Sequence, residues 1–159
     1  MPKWRHLLLL ITIALCLSAC TINEAKPTAT TLDAEALTEQ LIKDLAMPEM
    51  LLITQSRVQR FYPESIPEIL ESCMIYLCAE AVLADEISIW EIKDSAKLEE
   101  VQKIFDEHYK SRQELYASYA PKEAERIKNR LVIAKGSWLI YVISDNNELA
   151  EEIITKAWK

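Results

Sequence analysis

Glycine occurs once in the 159 residues, at Gly136. A chain this poor in glycine cannot form a loop that brings several backbone N–H groups against a phosphate, so the P-loop and dinucleotide-binding motifs are excluded. Histidine occurs twice, at His6 and His108. That rules out the His-Glu-x-x-His pair of zinc proteases and any multi-histidine metal site. No serine is followed three residues later by lysine, which removes the penicillin-binding signature. The chain has 18 basic residues against 25 acidic ones, a net charge of −7. Such a chain repels phosphate backbones, which argues against a nucleic-acid partner. No apolar run reaches the roughly 20 residues that a transmembrane helix needs.

What is present begins at the N-terminus. Lys3 and Arg5 form a basic start, residues 7–17 carry no charge, and Ser18, Ala19 and Cys20 follow. This is the plan of a secretory signal peptide. The tetrad Leu17-Ser18-Ala19-Cys20 resembles the lipobox of bacterial lipoproteins. The resemblance implies a diacylglyceryl group on Cys20 and cleavage before it. Two acyl chains hold a protein stably where one holds only reversibly. The expected address is therefore the extracytoplasmic face of the cell membrane. Cleavage would remove Lys3 and Arg5, leaving 16 basic residues against 25 acidic ones, a net charge of −9.

Of the four cysteines, Cys16 lies in the signal and Cys20 is the expected lipid site, leaving Cys73 and Cys78. Both fall in a run read as a strand over 73–83. Five residues of strand span roughly 16 Å, while a disulfide needs Cα atoms within about 7 Å. Two free thiols are expected, each a small apolar side chain.

Three segments are expected: a signal peptide at 1–19, a lipidated tether at 20–32 and one domain at 33–159. The first helix should begin near Asp33, bury Leu37, Leu41 and Leu45, and end by Pro48. Residues 50–53 are apolar but too short to assign. Pro63 and Pro67 bracket a turn. Strands are expected at 73–83 and 86–92, joined through Ala84 and Asp85. Asp94 or Ser95 then caps a long helix, with Leu98, Val101, Phe105, His108, Leu115 and Tyr119 on its buried stripe. Pro121 opens a shorter helix. Residues 131–134 and 138–143 form a hairpin around Gly136, and Asp145 with Glu148 reads as a capping box for the last helix. The fold class is α+β: a four-stranded, mainly antiparallel sheet with helices packed on it.

Three stretches carry a resemblance to a family. They are Ala84-Asp85-Glu86-Ile87 running into Lys93-Asp94, the long helix with Arg112 before Tyr119-Ala120-Pro121, and Ile133-Ala134-Lys135-Gly136 leading to Val142-Ile143-Ser144-Asp145. In order and spacing, over about 120 residues, the chain resembles the DUF4358 family of uncharacterised bacterial lipoproteins. The resemblance implies an anchored extracytoplasmic protein and brings no catalytic residues. The chain departs from the expected pattern at Ala84, where the turn calls for glycine.

For chemistry, His108 lies on a helix stripe and is expected to be packed or at the surface, with no strained serine turn beside it. Asp106, Glu107 and His108 are consecutive and face different directions on a helix. Asp85 and Glu86 border a strand end, where a site could sit, and otherwise read as a charged turn. Arg112 either pairs with a carboxylate or carries its head to solvent along an apolar stem; the second is favoured. Tyr109, Tyr116 and Tyr119 read as the core's edge or the lining of a groove. No catalytic residue, metal ligand or cofactor is assigned. The expectation is a non-enzymatic binding or interaction domain, attached through Cys20 and meeting an envelope protein partner. The alternatives are a subunit of an envelope complex and an envelope enzyme acting through Asp85 or Glu86.

Overall fold

A computed structural model describes residues 31–158. The signal segment 1–19, Cys20 and nearly all of the tether lie outside the described residues. The first helix, α1, is Ala34–Asp44. Asp33 caps it, its carboxylate accepting from Ala36 N at 3.0 Å. Then come β1 (Met50–Leu52), a 3-10 segment (Gln55–Arg60), α2 (Ile66–Ile69), β2 (Leu70–Cys78) and β3 (Glu86–Ile92). Asp94 caps a 3-10 turn (Ser95–Lys97) that runs into the long α3 (Leu98–Ala117). Pro121 is the first residue of α4 (Pro121–Lys128). The hairpin of β4 (Leu131–Lys135) and β5 (Trp138–Ile143) precedes α5 (Asn147–Ala157). Gly136 turns the hairpin with φ 63°, a backbone region that glycine enters without steric cost.

The fold is α+β. One antiparallel sheet has the order β1-β2-β3-β5-β4. It has five strands where four are expected, the fifth being the unassigned apolar stretch at 50–52. Helices cover both faces. Ile87, Ile89, Ile140 and Val142 point into a core with Leu37, Leu41, Ile153 and Ile154 of α1 and α5. Alternate residues point the other way: Trp90, Ile92, Leu139 and Tyr141 meet Phe105, Tyr109 and Ile127 of α3 and α4. Burial on both faces explains why β5 is an unbroken run of apolar and aromatic residues, all six buried. β3 is also buried on both faces but carries Glu86 and Ser88 inside with its isoleucines and Trp90. Among the described residues, no helix is long and apolar enough to cross a membrane.

Several expectations need correction. β2 is Leu70–Cys78, not 73–83. It begins three residues earlier, and after a last bond along the β1 ladder, from Ala79 N to Glu49 O at 2.8 Å, the chain turns, Leu83 N donating to Glu80 O at 3.0 Å. A seven-residue connection at 79–85 therefore joins β2 to β3 in place of a tight turn at Ala84 and Asp85. Ala84 needs no glycine geometry, since among the described residues those with positive φ are Ala46 and Gly136. The cap of α5 is Asn146, which accepts from Leu149 N at 3.1 Å, not Asp145. On α3 the buried residues are Val101, Phe105, Tyr109 and Tyr116; Leu115 and Tyr119 are exposed. Cys73 and Cys78 are both free and half-buried, as the strand spacing requires.

Candidate functional site

Glu86 opens β3 and belongs to the face of the sheet that meets α3, on the same side as Ser88 and Trp90. Its side chain has no solvent exposure. A buried carboxylate must be paired and hydrogen-bonded to be tolerated, and Glu86 is both. Tyr62 donates to Oε1 at 2.8 Å, Tyr109 donates to the same oxygen, and Arg112 Nη1 binds Oε2. The Tyr109 proton is committed to Glu86, so the Ser88 hydroxyl, 3.1 Å away, is the donor to Tyr109. Tyr109, Arg112 and Tyr116 are spaced three and four apart, which places them on one side of α3 in continuation of Val101 and Phe105. Tyr62 arrives from the segment after the first 3-10 turn, its ring edge on Trp90 at 4.7 Å.

The electrostatics follow from burial. Desolvation first, and the Glu86 charge second, push the Tyr62 and Tyr109 hydroxyls well above the ordinary phenol value, so both remain donors. For Arg112, burial is the largest single influence and works against the charge, but Glu86 together with Tyr109, Tyr62 and Tyr116 outweighs it and the net shift is upward. His108, stacked beside Tyr62 at 4.9 Å, is lowered below the ordinary imidazole value by burial, against a smaller opposing pull from Glu86. It is a neutral imidazole at pH 7.

The β2–β3 connection is sewn to α3 and α4 by side chains. Tyr116 donates to Ala81 O at 3.0 Å and lies 3.2 Å from Leu83 O. Arg112 Nη2 reaches Ala84 O at 3.4 Å, and Ala84 N donates to Glu123 at 2.8 Å. Next to Glu86, Asp85 takes a two-pronged contact from Arg126, at 2.6 and 2.9 Å. Arg126 also binds Glu123 at 2.7 Å and pairs with Asp145 at 3.0 Å. Asp85 and Glu86 are thus not a loose charged turn. They are adjacent carboxylates, each buried against its own arginine. Arg112 does not carry its head to solvent as favoured from sequence; it pairs with Glu86.

Between α3, β1 and this connection lies a cavity of about 280 Å³. Its walls are apolar, among them Leu51, Ile53, Phe61 and Leu77, while His108 and Arg112 form its polar end, with the unexposed Glu86 behind them. Cys78 also borders it. The Cys78 sulfur accepts from Glu80 N at 3.3 Å, and among the described residues no hydrogen bond joins it to His108. Tyr109 is core, while Tyr116 is nearly buried and stacks on the exposed Tyr119 at 5.0 Å. Asp106 leaves the neighbourhood to bind Arg130 at 2.6 Å. Among the described residues, no three His, Cys, Asp or Glu side chains gather where a metal ion could be held.

The sequence marked Asp85, Glu86, Arg112 and the tyrosines one by one. It missed Tyr62, Ser88 and the cavity. The available signal was the polar-tipped series Tyr109, Arg112, Tyr116, continuing an apolar helix face opposite the charged first residue of a strand.

No curated protein and no solved structure matches the chain. Residues 44–144, from the end of α1 through β5, match the family described as "Domain of unknown function (DUF4358)". That span contains the cavity and both buried arginine–carboxylate pairs, and the chain belongs to this family.

Proposed function

We propose that the chain is a lipoprotein, held to the extracytoplasmic face of the cell membrane through lipid on Cys20, whose domain binds a ligand and catalyses nothing alone. The cavity at the Glu86–Arg112 pair carries the binding part of this reading. Binding sites are concave and mostly apolar, with a few placed polar groups, and this one has that make-up.

Glu86 is poorly suited to acid–base work. A general base must reach the proton it removes. Glu86 is fully out of solvent and already takes two phenol donors and a guanidinium. A carboxylate so occupied positions its neighbours. A second reading, a subunit of an envelope complex, draws on the exposed apolar side chains at this end of the domain. Leu51 and Phe61 border the cavity and are 50% and 43% exposed, and Val82 stands in the same connection as Ala81.

The test uses a plug and a probe. Ala81 is exposed and borders the cavity, and only its backbone carbonyl is used by Tyr116. Ala81→Trp should therefore fill the mouth and leave the fold intact. A photoreactive phenylalanine analogue at Phe61, irradiated in intact cells, should give an adduct that Ala81→Trp abolishes. A small-molecule adduct supports the ligand reading and a protein adduct the complex subunit. An adduct indifferent to Ala81→Trp sinks the cavity as the binding site.

A further inference from the structure

If the cavity is the binding site, its inner end restricts what it can hold. The Glu86 oxygens are occupied and unexposed, so the carboxylate is hidden from anything in the cavity. The hydroxyl protons of Tyr62 and Tyr109 are spent on Glu86. Arg112 is the exception, with 18% of its side chain exposed. A guanidinium has five N–H groups. One goes to Glu86 and one makes the long contact to Ala84 O, so N–H groups remain to donate. The polar surface turned to a ligand from this pair is a donor surface, and it calls for a hydrogen-bond acceptor.

Charge narrows the choice further. Glu86 already balances Arg112, and His108 is a neutral imidazole beside them. An anionic ligand would gain the Arg112 donors but would face the Glu86 charge directly behind them, in a chain of net charge −7. An ammonium ligand would meet the guanidinium and find no accessible carboxylate. An uncharged acceptor meets neither penalty, and the rest of it must be apolar to lie against Leu51, Ile53, Phe61 and Leu77. As to size, an apolar cavity of roughly 150 Å³ holds a benzene molecule, and this one is about 280 Å³.

We propose that the cavity takes a small uncharged amphiphile: an apolar body, about ten heavy atoms in all, ending in a carbonyl oxygen that accepts from Arg112. This rests on the reading of the cavity as the binding site and adds the ligand's chemical class.

Three compounds of one shape and different charge make the test: para-ethylbenzamide, para-ethylbenzoate and para-ethylbenzylamine. Cys78 borders the cavity, so its alkylation rate in the full-length protein in detergent reports occupancy, with Cys73 as the internal reference. The amide should slow Cys78 alkylation, acting at concentrations at least about tenfold below either charged analogue, a difference of about 1.4 kcal/mol. Cys73 should be unaffected, and Ala81→Trp should remove the amide's effect. Equal or better protection by the benzoate or the benzylamine overturns the proposal. So does the absence of protection by all three. If Ala81→Trp still abolishes the cellular adduct in that case, the ligand class fails while the binding site stands. If the adduct survives the plug, the site itself is wrong.

Discussion

Two buried charges can stabilise a fold only as a pair, and Glu86 with Arg112 is such a pair. Taking one away leaves the other desolvated and uncompensated, which costs about 3–5 kcal/mol. Arg112→Ala should therefore lower the unfolding free energy in urea by that amount. Replacing both members together, Glu86→Met with Arg112→Met, should recover only part of the loss: no orphan charge remains, but the buried Tyr62 and Tyr109 hydroxyls lose the acceptor they share. A loss below about 1 kcal/mol for Arg112→Ala would show that water reaches Glu86. At this scale the sequence was half legible. Glu86 stood out as a charge opening an apolar strand, and Arg112 as a charge on an apolar helix face. Their meeting was hidden because they lie 26 positions apart, and the default for a long basic side chain is to keep its head in water.

At the scale of the element, α1 ends in a way the sequence disguises. Met47 N donates to Ile42 O at 3.0 Å and Ala46 N to Lys43 O at 3.2 Å, the paired bonds of a Schellman ending. Met47 and Ile42 both pack against the core of that face, completing the motif. The residue that must turn left-handed is Ala46, with φ 50°, where glycine is usual. A Cβ in that region costs roughly 1–2 kcal/mol, part of which glycine gives back as chain entropy. Ala46→Gly should thus stabilise the protein by about 0.5–1 kcal/mol, seen as a higher urea midpoint at unchanged slope. A lower midpoint would mean the Ala46 methyl is contributing packing that outweighs the strain. Other element boundaries were legible for physical reasons. β3 is legible at its observed bounds because Ile87, Ile89, Trp90 and Ile92 are β-branched or aromatic and stand between the Ala84-Asp85 connection and the cap at Asp94. β1 was not, since three residues carry no measurable period. β2 was read too long because Ala79, Ala81 and Leu83 continue the alternation into a connection whose shape is set by Tyr116, Arg112 and Glu123.

At the scale of the whole molecule, the described chain begins on the side of the sheet away from the cavity. Leu32 and Ala34 pack with α1 and α5, whereas Tyr62, Tyr109 and Tyr116 belong to the core beneath α3 and α4. A tether leading from Thr31 back to a lipid on Cys20 therefore leaves the domain on the layer across the sheet from the binding site, and attachment need not obstruct the cavity. The proposed tethering would confine the domain to a thin layer and raise its effective concentration toward anything else held there, which benefits a weak binder most. The proposed anchor and the proposed site are separable on this geometry, and Cys20→Ala tests the separation. The variant should escape lipidation and cleavage, persist as the longer precursor held by residues 7–17, and lose the mass of the diacylglyceryl group in spectrometry of the intact protein. Its purified domain should still protect Cys78 with the uncharged amide, because no described residue of the cavity lies before Leu51. A Cys20→Ala protein that still matures and enters the detergent phase like the parent would refute the anchor, whatever the cavity binds.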